Sequence, residues 1–418
     1  MRKRTGKINV SMIFFLLYSI IGYSYTSVIS IDGLGRFYKN CLVNIPLFRY
    51  INSKEGLGYE YIFNVLSETL SCPKEDLENL LESRVTFYSD FEYNYSAFLE
   101  PDIIKNLSNI ILRSDAIYIE NHDVKTISDI IENIFNGTVV KGGYDIYGKE
   151  YRISYGENGV FLNRPQSVYT PSGEYPVEGK IKGFMNDGKN WDFHLEIKDK
   201  ALKGSFVSQD YSKDMQEFDI SLLENWRIFG DVQTYEVLVK DRTVDYIREF
   251  FVPYDKSSIE IIDKLFSSPK DGQFVVIRSE SLTDSKMRSI YFSTVFDTKN
   301  INALIKLYNL GSGKIGTYDY CLISHKSVGD KIYFYYSQEG SIVSTVSPDN
   351  MKIYLSESPR LKSITGYKMI EKKKLERFVF ADLERYFEGN FFSSIPAFLS
   401  AAFFKNEDRS YCINIILK

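Results

Sequence analysis

The stretch Gly179–Ser208, GKIKGFMNDGKNWDFHLEIKDKALKGSFVS, sets the fold class of this chain. Within it Trp191, Phe193, Leu195 and Ile197 alternate with Asp192, His194, Glu196 and Lys198. A period of two belongs to a strand with one face in a core and the other in water. Gly179–Met185, Trp191–Lys198 and Leu202–Ser208 therefore predict a three-stranded antiparallel meander. Just upstream, Glu150–Tyr155 and Val160–Asn163 flank Gly156-Glu-Asn-Gly159, a hairpin signal.

Towards the N-terminus the period lengthens to that of a helix. Leu77, Leu80 and Leu81 follow Ser71 and Pro73, a cap and a first-turn proline. Ile103, Leu107, Ile110 and Ile111 form a second apolar stripe, and Ile127, Ile130, Ile131 and Ile134 a third, stopped at Asn136-Gly137. Towards the C-terminus the signals mix. Strands are expected over Gln233–Lys240, Phe274–Arg278, Ile290–Phe296, Tyr318–Ser324, Ile332–Tyr336, Ile342–Val346 and Met351–Leu355. Helices are expected over Val244–Phe251, Ile259–Phe266 and the stretch through Ile301, Leu304, Ile305 and Tyr308. Leu375, Phe378, Val379, Leu383 and Phe387 then read as a helix, Pro396–Phe404 as a shorter one, and Tyr411–Leu417 as a last strand. No repeat of fixed period is visible, which disfavours solenoids and propellers.

The expectation is an α+β protein: an N-terminal helical region, a central antiparallel β-rich region, and a mixed C-terminal region ending in helices and a last strand. The divisions fall at 1–24, 25–137, 138–232 and 233–418.

Residues 1–24 read as a secretory signal peptide. Arg2, Lys3, Arg4 and Lys7 precede an apolar run from Met12 to Ile21, and Gly22 and Ser24 supply small residues before a cut after Ser24. The run is about half the length that a bilayer core demands. An uncleaved signal anchor is the alternative, and it would be the chain's only hold on a membrane. The fourteen-residue stretch Phe391–Phe404 is too short to span, so the mature chain is expected outside the cytosol, secreted or in the envelope.

Lys and Arg number 51 against 55 Asp and Glu, a formal charge of -4. That balance lacks the basic field of a nucleic-acid binder. The four cysteines, Cys41, Cys72, Cys321 and Cys412, permit two disulfides in an exported chain. Proximity in sequence favours Cys41–Cys72 and Cys321–Cys412. No two have metal-ligand spacing, and no metal or cofactor is expected.

Aromatic residues make up 15 % of the chain. A coding bias explains this without function, and an aromatic ligand surface explains it with one. Leu310-Gly-Ser-Gly-Lys-Ile-Gly-Thr317 matches a phosphate-covering glycine loop on paper. A dinucleotide site needs a strand before the glycines and a helix after them, and here the order is reversed. Gly311 reads instead as a helix C-cap.

Asp192, His194 and Glu196 share one strand face, a pattern open to metal or acid–base chemistry and equally to a solvated surface. His122 and His325 complete the histidines, too scattered for a zinc hydrolase. Among Asp145, Glu150, Glu157, Asp192 and Glu196 no carboxylate pair stands out for glycoside hydrolysis. No catalytic residue is assigned. The expected function is non-catalytic: an exported binding or surface protein with a protein or glycan ligand. A secreted hydrolase with a carboxylate site is the rival.

Overall fold

The computed structural model describes residues 26–46, 49, 64–65, 67–68, 73–89, 116–120, 125, 138–140, 143–146, 149–156, 159–163, 180–186, 190–209, 216–227, 230–251, 256–281, 287–325, 331–370, 374–384 and 397–418. These form two compact units, one within Met1–Tyr211 and Arg409–Lys418, the other within Ser212–Asp408.

The first unit runs through β1 (Thr26–Asp32), α1 (Leu34–Asn44), α2 (Lys74–Glu82), β2 (Arg84–Ser89), β3 (Ala116–Glu120), β4 (Thr138–Val140), β5 (Gly143–Ile146), β6 (Lys149–Gly156), β7 (Gly159–Asn163), β8 (Lys180–Asn186), β9 (Asn190–Lys198) and β10 (Ala201–Ser208). The second contains β11 (Phe218–Asp219), β12 (Val232–Val239), α3 (Thr243–Phe250), α4 (Lys256–Phe266), β13 (Gln273–Glu280), β14 (Arg288–Phe292), α5 (Thr298–Tyr308) and β15 (Ser312–Ile315). It continues through β16 (Tyr318–His325), β17 (Lys331–Tyr336), β18 (Ser341–Ser344), α6 (Pro348–Glu357), α7 (Thr365–Lys368), β19 (Lys374–Leu375), β20 (Arg377–Asp382) and β21 (Phe398–Lys405). The last strand, β22 (Tyr411–Leu417), belongs to the first unit.

The class is α+β, built on antiparallel sheet. In the first unit the strand order is β4-β5-β6-β7-β3-β2-β1-β8-β9-β10-β22, antiparallel at every step. In the second it is β15-β16-β17-β18-β14-β13-β12-β20-β21, again antiparallel throughout, with β11 and β19 pairing apart.

The two orders share one connectivity. In each, helices follow the first strand, which lies between the second strand and the eighth. The next four strands form successive hairpins, the last of which returns beside the third strand. A ninth strand pairs with the eighth. The sequence shows no fixed-period repeat because the loops differ in length: β2 and β3 lie 27 positions apart, β13 and β14 only 8 (116 - 89 and 288 - 280).

Burial explains the elements of the second unit. Ile247, Phe250, Ile261, Ile262, Leu265 and Phe266 on α3 and α4 pack with Phe274, Val276, Ile290, Phe292 and Phe334 from the sheet. Phe266 is fully buried and meets Phe296 and Phe334 edge-on at 5.1 and 5.0 Å between centroids. Such contacts add to the burial of large apolar surfaces. Asp297 caps α5 by accepting from Lys299 N–H at 2.9 Å. Asn309, with φ 49°, ends it in the left-handed region, and Leu310 N–H closes back on Ile305 O at 3.0 Å. The C-cap is therefore Asn309 rather than Gly311, and Gly316 turns the β15–β16 hairpin with φ 56°.

Gly230 enters β12 with φ +78°, and a Cβ there would lie 2.6 Å from Glu280 O. Gly230→Ala should cost the second unit roughly 1–3 kcal/mol, since both strain and a backbone clash oppose it. Chemical denaturation followed at Trp226 checks this, and an unchanged midpoint would count against the turn geometry.

Several expectations need correction. The region 25–137 is not wholly helical: β1, β2 and β3 lie in it, and β1 is paired on both sides. Met351–Leu355 lies in α6, begun by Ser347 and Pro348, residues that favour a cap and a first turn. Leu375, Phe378 and Val379 lie in β19 and β20, which ends at Asp382, Leu383 is helical, Phe387 lies outside the described residues, and Phe398–Phe404 forms β21. β21 is covered on both faces, which removes the alternation that marks a strand, and β20 carries apolar Val379 and Ala381 on its half-buried face, which blurs it. The compact units also divide at 211 and 409, not at 137 and 232. The stripes at 103–111 and 127–134, and Cys72, His122 and Glu157, lie outside the described residues. Among the described residues no helix is long and apolar enough to cross a membrane.

Candidate functional site

The meander forms as its pattern requires. Trp191 and Phe193 are buried, whereas Asp192 and His194 stand exposed and Glu196 is half-buried. Register places His194 between Lys182 on β8 and Ser205 on β10, and Glu196 between Lys180 and Lys203. Asp192 lies between Phe184 and Val207. Glu196 thus stands between lysines across the strands, an arrangement that favours a hydrated face. Neighbouring members of the trio sit about 6.8 Å apart along the strand. No group of His, Cys, Asp and Glu among the described residues could hold a metal ion. With Asp192 and His194 exposed to water and Glu196 flanked by lysines, the trio can form ion pairs with a ligand but lacks a dry setting for proton transfer.

Of the five carboxylates near the hairpins, Asp145 and Glu150 stand opposite each other in the β5–β6 register. Asp192 and Glu196 are on β9, in a different part of the same strand order. His325 ends β16 in the second unit, whereas His194 lies on β9 in the first. The Trp191 ring is 5 % exposed and meets Tyr411 edge-on at 6.0 Å, a core contact rather than a sugar platform.

The bridge expected between Cys321 and Cys412 is not formed. Cys321 is a buried thiol on β16 in the second unit, and Cys412 a buried thiol on β22 in the first. Each strand carries its cysteine into apolar surroundings, where a small hydrophobe suffices. Cys41 is likewise a buried thiol on α1. Burial raises the Cys41 and Cys321 thiols to about 12. Both are therefore unreactive as nucleophiles near neutral pH.

The sheet of the second unit presents an aromatic surface that the sequence did not single out. Tyr320 on β16 stands opposite Tyr335 on β17, and Tyr333 lies two residues along on the same face. The Tyr320 and Tyr333 rings are 6.4 Å apart in an edge-to-face arrangement, each about 6 Å from Tyr335. Tyr335 is buried, and its hydroxyl donates to Val346 O at 2.6 Å. Val346 N–H donates in turn to Ser344 Oγ at 3.0 Å, and Ser344 shares a 2.6 Å bond with Ser289. This chain fixes the ring on which the two half-buried tyrosines lean. Gly313 on β15 leaves room for Tyr320, since a Cβ there would lie 2.6 Å from its hydroxyl. Burial, then Tyr320 and Asp349, hold the Tyr333 hydroxyl above its ordinary range. Two fixed rings with hydroxyl tips beside a carboxylate can stack on a ligand and hydrogen-bond its polar groups. The signal in sequence was the run Tyr333-Phe-Tyr-Tyr336, but nothing in it marks Tyr320 as the partner.

Comparison of the chain with known protein families, curated proteins and solved structures finds no match.

Proposed function

We propose that this chain is an exported, non-catalytic binding or surface protein, and that the tyrosine surface of β16 and β17 contacts its protein or glycan ligand. The leader pattern of residues 1–24 supports export. Cleavage after Ser24 leaves every described strand whole, because β1 begins at Thr26. The observation that carries the binding reading is the Tyr320–Tyr333 pair, half-buried and held in place by hydrogen-bonded Tyr335. Tyrosine contributes large, amphipathic contact area with little rotamer entropy to lose. The charged strand face of β9 offers a second, weaker surface suited to orienting a ligand.

The test has two arms. N-terminal sequencing of the product recovered outside the producing cell should begin at Tyr25, and a chain held in the cytosol would end the export reading. The secreted chain is then screened against glycan and extracellular-protein arrays. A Tyr320→Ala/Tyr333→Ala variant should lose about tenfold or more of the captured affinity. Its thermal midpoint should hold, since both rings lie at the surface of the fold. Undiminished capture by the variant would remove these tyrosines from the reading.

A further inference from the structure

Three strands of the second unit each bring one charged residue to a single point. Glu236 is on β12, Arg377 lies directly opposite it on β20, and Arg278 sits on β13 opposite Thr234. Tyr246 reaches the same point from α3. Its hydroxyl donates to Glu236 Oε1 at 2.6 Å, and Arg377 Nη2 donates to Oε2 at 2.8 Å. The carboxylate is thus bonded at both oxygens. Arg278 is not part of that bonding: its Nε lies 4.0 Å from Oε1, beyond hydrogen-bond reach. Its guanidinium instead lies over the Tyr246 ring at 5.7 Å.

The charges do not balance. Two guanidiniums face one carboxylate, and the next residues along, Glu280 and Arg288, stand opposite each other in register, one of each sign. The donors do not balance either. Arg377 Nε is buried without an acceptor, and Arg278 has no hydrogen-bond acceptor among the described residues. Both arginines keep side chains about a third open to water, 37 % and 35 %, whereas Glu236 is only 16 % exposed. A guanidinium offers five donors in a planar fork that fits an oxyanion at two points. Glu236 and the Tyr246 ring hold both forks in place before any ligand arrives, which lowers the ordering cost of binding.

We infer that Arg278 and Arg377 form a site for an oxyanionic group, a carboxylate or phosphate carried by a ligand, with Glu236 and Tyr246 as positioning residues. The inference does not depend on export or on the tyrosine surface. It places the binding determinant on the sheet face that carries Arg278, Glu236 and Arg377. The tyrosines lie on the other face, since Tyr235 and Tyr335 alternate with the residues of this one.

The full chain is titrated with inorganic phosphate and, separately, malonate, each against sodium chloride of matched ionic strength. Heat of binding and thermal midpoint are recorded. At least one of the two anions should bind and raise the midpoint of the second unit where chloride does not. Response to phosphate alone marks a phosphate site, to malonate alone a carboxylate site, and to both a general oxyanion site. Arg278→Lys keeps the charge and loses the fork, and should weaken binding about tenfold. Arg377→Gln should abolish it. Arg248→Gln, which breaks the separate ion pair with Asp263, should bind as the parent does. Glu236→Gln removes the competing carboxylate and should bind at least as tightly, provided its midpoint without anion stays within a few degrees of the parent. Absence of any anion-specific response in the parent, or an equal response in Arg278→Lys and Arg377→Gln, would overturn the inference.

Discussion

Removal of residues 409–418 should unfold the first unit and leave the second folded. These residues carry β22, which pairs along its whole length with β10, from Leu202 opposite Leu417 to Ser208 opposite Tyr411. The strand is buried on both faces: Tyr411, Ile413, Ile415 and Leu417 on one, Cys412 and Ile416 on the other. Burying a large apolar side chain contributes about 1.5–3 kcal/mol. Five such side chains come to on the order of 10 kcal/mol, comparable to the 5–15 kcal/mol that holds a typical domain together. Truncation also bares β10 as an edge, a template for aggregation. The chain supplies its own reporters, because its two tryptophans fall one to each unit, Trp191 and Trp226. Trp191 packs on Tyr411 of the lost strand, and Trp226 stacks on Tyr291 at 3.5 Å within the second unit. In a Trp226→Phe background the truncated chain should show the red-shifted emission of a solvated indole. In a Trp191→Phe background the emission should match that of the intact chain. A native Trp191 signal without β22 would show that the strand is dispensable.

That dependence was only partly legible in the sequence. Tyr411–Leu417 reads as a strand, but its pairing does not, because β10 lies about half the chain away. The elements that read correctly are those with one covered face or a strong local signal. Trp191–Lys198 alternates because water lies on one side. β6 and β7 pair as the glycines of Gly156-Glu-Asn-Gly159 suggest, with Gly156 opposite Gly159. The strands that misread carry apolar residues on both faces. In β20, Phe378 and Phe380 are buried on one face, and apolar Val379 and Ala381 follow Arg377 on the other, so the apolar run also fits a helix. Alanine and leucine in Phe398–Lys405 strengthened the same error. For the candidate sites, the shared face of Asp192, His194 and Glu196 needed only local periodicity and was visible. Glu236 stands as a lone charge inside an apolar strand, a local hint that something must meet it, whereas Arg278 shares β13 with Glu280 and Arg377 opens β20. Which charges meet is decided by β12 lying between β13 and β20, and no local pattern encodes that order.

Alkali should destabilise both units between pH 9 and about pH 12. Burial raises Cys41 in the first unit and Cys321 in the second from an ordinary 9.0 to about 12. Tyr336, beside Cys321, rises from 10.0 to about 12, through burial first and then the neighbouring thiol and Asp319. A raised acid remains protonated in the folded chain while the unfolded chain ionises. Above pH 9 the unfolded state therefore binds fewer protons, and stability falls as pH rises. The contribution is fully present below pH 9 and lost as pH approaches the folded value near 12. Each thiol, fully buried, contributes on the order of 4 kcal/mol at the limit, from roughly three units at 1.36 kcal/mol each. Denaturant midpoints measured from pH 8 to 11.5 should fall at both tryptophans. Cys41→Ala should flatten the slope reported by Trp191 alone, and Cys321→Ala the slope reported by Trp226 alone. At pH 8 a thiol reagent should leave Cys41 and Cys321 unlabelled until denaturant is added, because neither presents a thiolate. Flat midpoints through pH 11, or rapid native labelling of either cysteine, would mean that these thiols are not held where the fold places them.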